Sequence, residues 1–151
     1  MKVIFLDFDG VLNTERYVRT CGAYGVAIDP VKMLLLKRIV DASGAEIVLS
    51  TSWREHWEKE PISRNAVGAE IHGLFSRYGL QIFDKTPFLN ACREDEISAW
   101  LDVHPKVNKF VVLDDMFLDS ERIRGHFVKT SGYAGGLDEA AANDAIEILN
   151  G

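Results

Sequence analysis

The chain reads as an α/β protein built on a mostly parallel sheet, and three observations carry that expectation. Short β-rich apolar runs, Val3-Ile4-Phe5-Leu6, Ile47-Val48-Leu49 and Phe110-Val111-Val112-Leu113, alternate with stretches of helical periodicity. Each run ends in a polar group of residues: Asp7-x-Asp9, Ser50-Thr51-Ser52 and Asp114-Asp115. The 151 residues amount to one domain with its own core, and no repeat or low-complexity tract divides them. Alternation of this kind puts helices on both faces of the sheet.

The first strand runs from Lys2 to Asp7. The glycine-containing stretch from Gly10 to Gly25 is too mixed for a regular element. Asp29 then caps a helix that has Pro30 at its first position, a buried stripe of Val31, Leu34, Leu35 and Leu36, and Gly44 as its stop. Glu46 to Ser50 forms the second strand. A poorly patterned helical zone follows between Trp53 and Tyr78, broken near Pro61 and Gly68. Leu80 to Phe83 is a short strand, and Asn90 caps a helix whose first turn carries Glu94, Asp95 and Glu96, which complement the helix dipole. Ile97, Trp100, Leu101 and His104 share one face of it, and Pro105 stops it. After the strand ending at Asp114-Asp115 come a minor strand at Phe127-Val128 and a last helix capped by Asp138, with Ala142, Ala145, Ile146 and Leu149 on one stripe.

The apolar runs are too short to cross a membrane or to act as a secretory signal. Met1-Lys2-Val3 leads straight into a strand, which points to a cytoplasmic protein with an intact N-terminus. A net charge of −6 argues against general nucleic-acid binding by electrostatics alone. Cys21 and Cys92 show no metal-ligand spacing and read as small buried apolar residues. His56 and His72 likewise show no ligand spacing, so no zinc is expected.

The chemistry begins at Asp7-Phe8-Asp9-Gly10-Val11. In extended chain Asp7 and Asp9 project to one side and Phe8 to the other. Two adjacent carboxylates repel unless a cation lies between them or one takes a proton. Such a pair suits a Mg²⁺-assisted site with one nucleophile and one acid/base, although Asp9-Gly10 could also be a plain hairpin turn. In an open parallel sheet the carboxyl ends of the strands gather at one edge, where ligands bind. The acid pairs, the hydroxyls of Ser50-Thr51-Ser52 and the cation of Arg93 are therefore expected to converge around a metal and a phosphate.

Leu6-Asp7-Phe8-Asp9-Gly10-Val11-Leu12, Ile47-Val48-Leu49-Ser50-Thr51-Ser52 and Val111-Val112-Leu113-Asp114-Asp115 resemble, in order, the motifs of the haloacid dehalogenase-like (HAD) hydrolase superfamily. Ser52-Trp53-Arg54, Arg93-x-x-Glu96-Ile97-x-x-Trp100-Leu101 and Gly136-Leu137-Asp138 resemble more narrowly the HAD branch named for Swiss-army-knife RNA-repair proteins. The resemblance implies a three-layer Rossmann-like fold and a Mg²⁺-dependent phosphomonoesterase. Asp7 is then the nucleophile that forms an aspartyl-phosphate, and Asp9 the acid/base. Thr51 and Ser52 are phosphate-binding, with the register among Ser50, Thr51 and Ser52 open. The metal ligands are Asp7, Asp114, Asp115 and the carbonyl of Asp9. The family's basic residue is usually lysine; here Arg93 takes that place, with Lys85 as its rival. Phosphorylated small molecules or nucleic-acid ends are the implied substrates. The alternative is a non-catalytic phosphoacceptor module similar to a receiver domain, although an Asp7-x-Asp9 pair on the first strand favours turnover.

The stretches between the motifs are too short for a full cap domain. The expectation is a single domain over residues 1–151 with an open site and, at most, a small flap from Asn13 to Ala27. Other residues have competing readings. Arg54 lines the site or faces solvent, Asp119 touches the site from outside or caps a turn, Trp53 and Trp57 pack in the core or stack a base, and His104 is structural.

Overall fold

A computed structural model describes residues 1–21, 26–89, 92–133 and 135–151. Its strands are β1 (Lys2–Leu6), β2 (Glu46–Leu49), β3 (Ile82–Lys85), β4 (Lys109–Asp114) and β5 (Phe127–Lys129), and its helices α1 (Glu15–Cys21), α2 (Pro30–Ser43), α3 (Ala66–Arg77), α4 (Arg93–Asp102) and α5 (Glu139–Asn150). The strands form one parallel sheet in the order β3-β2-β1-β4-β5. The chain leaves β1 on one side for β2 and β3 and returns on the other for β4 and β5. The crevice at that switch between β1 and β4 is where ligands bind in such sheets.

Side-chain alternation along the strands divides the core into two layers. Ile4, Leu6, Ile47, Leu49, Val111 and Leu113 face α2, α3 and α5, whereas Val3, Phe5, Val48, Phe110 and Val112 face α4. The result is a three-layer Rossmann-like α/β fold. Among the described residues no helix is long and apolar enough to cross a membrane.

Helix boundaries follow the capping chemistry. The Asp29 side chain accepts from Val31 N, Pro30 opens α2, and Gly44 ends it in the left-handed conformation at φ 70°. The stripe expected on α2 is rotated. Val31 and Leu34 are 60% and 61% exposed, while Met33, Leu35, Leu36 and Ile39 are buried. The segment from Val31 to Leu36 is apolar almost all round, so periodicity leaves the rotation open, and packing against α5 selects it.

Three further elements differ from expectation. The unassigned stretch after Gly10 contains α1, which has no buried residue and hence no apolar period to read; Thr14 Oγ1 accepts from Tyr17 N at its start. The third strand is Ile82–Lys85 rather than Leu80 to Phe83, and its pairing with β2 shifts register between Ile47 and Val48. The expected Asn90 cap lies outside the described residues; α4 begins after Cys92, which makes no side-chain cap bond. Cys21 is exposed and Cys92 half-buried, against the expectation of buried thiols, because both flank helix ends.

Gly68 does not break the helical zone but lies in the first turn of α3, where its N–H donates to Asn65 Oδ1 at 2.9 Å. A Cβ there would sit 1.9 Å from His56 O, because α3 crosses the 3₁₀ turn Ser52–His56 backbone to side. Gly68→Ala is therefore expected to lower stability by about 1–3 kcal/mol through overpacking, read as a shifted midpoint in urea denaturation. An unchanged midpoint would contradict that close approach.

Candidate active site at the carboxyl edge of the sheet

The ladder continues one residue past the strands: Asp7 N donates to Leu113 O at 3.1 Å and Ser50 N to Leu6 O at 3.0 Å. Asp7, Ser50 and Asp114 thus end up side by side on the face covered by α4. Arg93, the first residue of α4, meets them there. Its Nη1 lies 3.0 Å from Asp7 Oδ2 and 2.7 Å from Asp114 Oδ2. Strand parity and the position of one helix N-terminus build this contact.

Asp7, Asp114 and Asp115 present oxygens within 4.8 Å of one another. One guanidinium against three carboxylates leaves an excess of negative charge that a divalent cation would offset, and an all-carboxylate donor set suits a hard ion. The donor set therefore fits a metal. Burial pushes the Asp7 carboxyl up to about 7, against the lowering pull of Arg93, and Asp114 adds to the rise. Burial, then Asp114, also raise Asp115. For Arg93, burial lowers the pKa but the charges of Asp7 and Asp114 outweigh it, so the net direction is upward.

Asp115 is wedged between two glycines. A Cβ on Gly10, whose φ is +81°, would lie 2.3 Å from Asp115 Oδ2, and one on Gly132 would lie 2.5 Å from it. Thr130 Oγ1 holds the Gly10 carbonyl at 2.6 Å. A side chain on either glycine would have to push this carboxylate aside.

Asp9 stands apart from the three-carboxylate cluster and is exposed. Its Oδ1 accepts from Asn13 Nδ2 and its Oδ2 from Trp53 Nε1, both at 3.0 Å. Asn13 cannot swap its amide ends, because its Oδ1 accepts from Gly10 N and its Nδ2 also donates to Ala27 O. Both Asp9 oxygens therefore face N–H donors. Sequence reasoning missed Asn13 and Gly132 as site residues. The available signals were an Asn four residues beyond Asp9 and a glycine just after a strand.

Ser50 and Thr51 are fully buried and Ser52 is exposed. Ser50 Oγ has no hydrogen-bond partner. Thr51 Oγ1 accepts from Trp53 N, which leaves its proton for an acceptor. Ser52 borders a groove beside Asp9.

Lys85 points away from the cluster and bonds Trp57 O and Glu58 Oε1, each at 2.7 Å. Arg54 does not face solvent. It is 3% exposed and bonds the carbonyls of Thr51, Thr86 and Pro87 as well as Glu96 Oε2. It brackets the turn after β2, the loop after β3 and helix α4 together. Asp119 bonds Arg124 on the surface, Trp57 is core, and His104 stacks on Trp100.

No curated protein and no solved structure matches the chain. A family model described as the HAD domain in Swiss Army Knife RNA repair proteins matches residues 3–142. That span holds the acid pairs, the hydroxyl turn and Arg93, and the chain belongs to this family of HAD domains.

Proposed function

We propose that the protein is a Mg²⁺-dependent phosphomonoesterase working through an aspartyl-phosphate on Asp7, with a nucleotide or a nucleic-acid end as substrate class. The observation that carries the reading is the Arg93 guanidinium set between Asp7 and Asp114, with Asp115 completing an oxygen cluster at the switch point. Mg²⁺ held by Asp7, Asp114, Asp115 and the Asp9 carbonyl would supply charge neutralisation for the phosphoryl oxygens. Arg93 pairs with those oxygens and, by pulling the Asp7 pKa down against the effect of burial, favours the ionised form that attacks. Thr51 donates its hydroxyl proton to the transferring group, with Ser52 beside it.

The bond from Asp7 to phosphorus forms as the bond to the leaving oxygen breaks, and Asp9 delivers a proton to that oxygen. Water then attacks phosphorus as Asp9 takes its proton, and the bond from Asp7 to phosphorus breaks, which frees phosphate and restores the Asp7 carboxylate. Asn13 and Trp53 hold its carboxylate in place for both steps. In this reading the site is open within a single domain; the flap from Asn13 to Ala27 includes α1, and its residues 22–25 lie outside the described ones. Two unpaired thiols suit the reducing cytoplasm.

Hydrolysis of an aryl phosphate with and without Mg²⁺ tests the reading. Turnover that requires Mg²⁺ supports it, whereas phosphate that accumulates on the protein without turnover would point to a phosphoacceptor module. The glycine wedge gives a finer check. Gly132→Ala displaces Asp115 and is expected to raise the Mg²⁺ concentration for half-maximal activity about tenfold. An unaltered Mg²⁺ titration would remove Asp115 from the ligand set.

A further inference from the structure

Two grooves flank Asp9. One, of about 420 Å³, runs toward α1 past Gly10, Asn13, Val18 and Asp115. The other, of about 350 Å³, is bordered by Asp9, Ser52, Trp53, Glu55, His56 and Phe88. The second is aromatic. The Trp53 and His56 ring centroids are 6.1 Å apart, and Phe88 is 53% exposed, its ring backed by the Arg54 guanidinium 3.9 Å from the centroid. Arg54 is neutralised by Glu96 at 2.7 Å. The charged groups bordering this groove are the carboxylates of Asp9 and Glu55, with His56 bonded to Asn65 and its Nε2 3.3 Å from Glu55 Oε1, and among the described residues no lysine or arginine borders it.

We infer that this groove is the leaving-group subsite and that it takes a planar, uncharged ring joined to a single phosphate. The inference rests on the phosphatase reading, because the leaving oxygen is the atom that Asp9 protonates and the leaving group must emerge beside it. The Trp53 indole abuts that acid through its N–H to Asp9 Oδ2 at 3.0 Å. A flat ring gains stacking on Trp53 and Phe88, worth about 1–3 kcal/mol for a base. A polyphosphate chain in the same place meets the carboxylates of Asp9 and Glu55 with no lysine or arginine among the bordering residues to offset its charge. Nucleoside and aryl leaving groups share this chemistry.

The test compares adenosine monophosphate, phenyl phosphate, ribose 5-phosphate and adenosine triphosphate as substrates of the wild type, Phe88→Ala and Val18→Ala, the last in the opposite groove. The wild type is expected to prefer the ring-bearing monophosphates. The preference in kcat/KM for adenosine monophosphate over ribose 5-phosphate should fall about tenfold in Phe88→Ala and hold in Val18→Ala. Loss for adenosine monophosphate alone marks a nucleoside site, and loss for phenyl phosphate alone an aryl site. An unchanged preference in Phe88→Ala, its loss in Val18→Ala, or a wild-type preference for the triphosphate overturns the subsite. Quenching of Trp53 fluorescence by adenosine monophosphate, absent in Trp53→Phe, reads the groove without turnover. Quenching in a protein that hydrolyses nothing keeps the subsite and defeats the phosphatase reading; neither signal defeats both.

Discussion

Asp7→Asn is expected to reduce Mg²⁺-dependent phosphatase turnover by on the order of 10⁴–10⁶-fold while leaving the fold intact. The amide is nearly isosteric and can still accept from Phe8 N, which bonds Asp7 Oδ1 at 2.9 Å, but it is a poor nucleophile. Its effect on stability runs the other way. The folded-state pKa of Asp7 stands at about 7 against an ordinary 3.8, so folding favours the protonated form. That stabilisation is fully present below pH 3.8 and is lost as pH rises through 7. Without metal, the stability of the wild type relative to Asp7→Asn is therefore expected to fall between pH 4 and pH 7, and Mg²⁺ should restore it most above pH 7. Thermal denaturation of both proteins across that range checks the sign. Near-wild-type hydrolysis by Asp7→Asn would remove Asp7 from the chemistry, and a wild type that gains stability relative to Asp7→Asn as pH rises would contradict its desolvated setting.

Glu96→Ala is expected to be the most destabilising single change of those considered, costing about 3–5 kcal/mol. It strands the Arg54 guanidinium, whose side chain is 4% exposed, without its counter-charge and leaves Leu89 N without its acceptor Glu96 Oε1. Adding Arg54→Met removes the stranded charge, so the double variant should lose less than the sum of the single losses. A denaturant series on the two single variants and the double measures the coupling; strict additivity would mean that the pair does not interact. Because Glu96 follows Arg93 by three residues on α4, the phosphatase activity of Glu96→Ala should also fall at temperatures where the protein remains folded.

The sheet, the acid motifs and the capped helices were legible because each rests on local chemistry. A β-rich run ending in Asp7-x-Asp9 identifies itself, as does Asp29-Pro30 before a helix. The rotation of α2 was not legible, because Val31 to Leu36 is apolar on nearly every side. Helix α1 was not legible because it buries nothing. At the site, Arg93 ends up between Asp7 and Asp114 while Lys85 is tied to the turn after β2, contacts that position along the chain does not encode. The burial of Arg54 was not legible, because its partners lie on three separate segments.

The amino-acid sequence by itself determined the class of fold and the family, since strand periodicity, caps and acid-ended strands are short-range properties. Only the tertiary structure decided which groups meet: Arg93 between Asp7 and Asp114, Trp53 and Asn13 on the two oxygens of Asp9, Asp115 between Gly10 and Gly132. Except for Asn13 on Asp9, those contacts join residues far apart in the chain, and they depend on strand order, side-chain parity and the placement of one helix end, which no local pattern encodes.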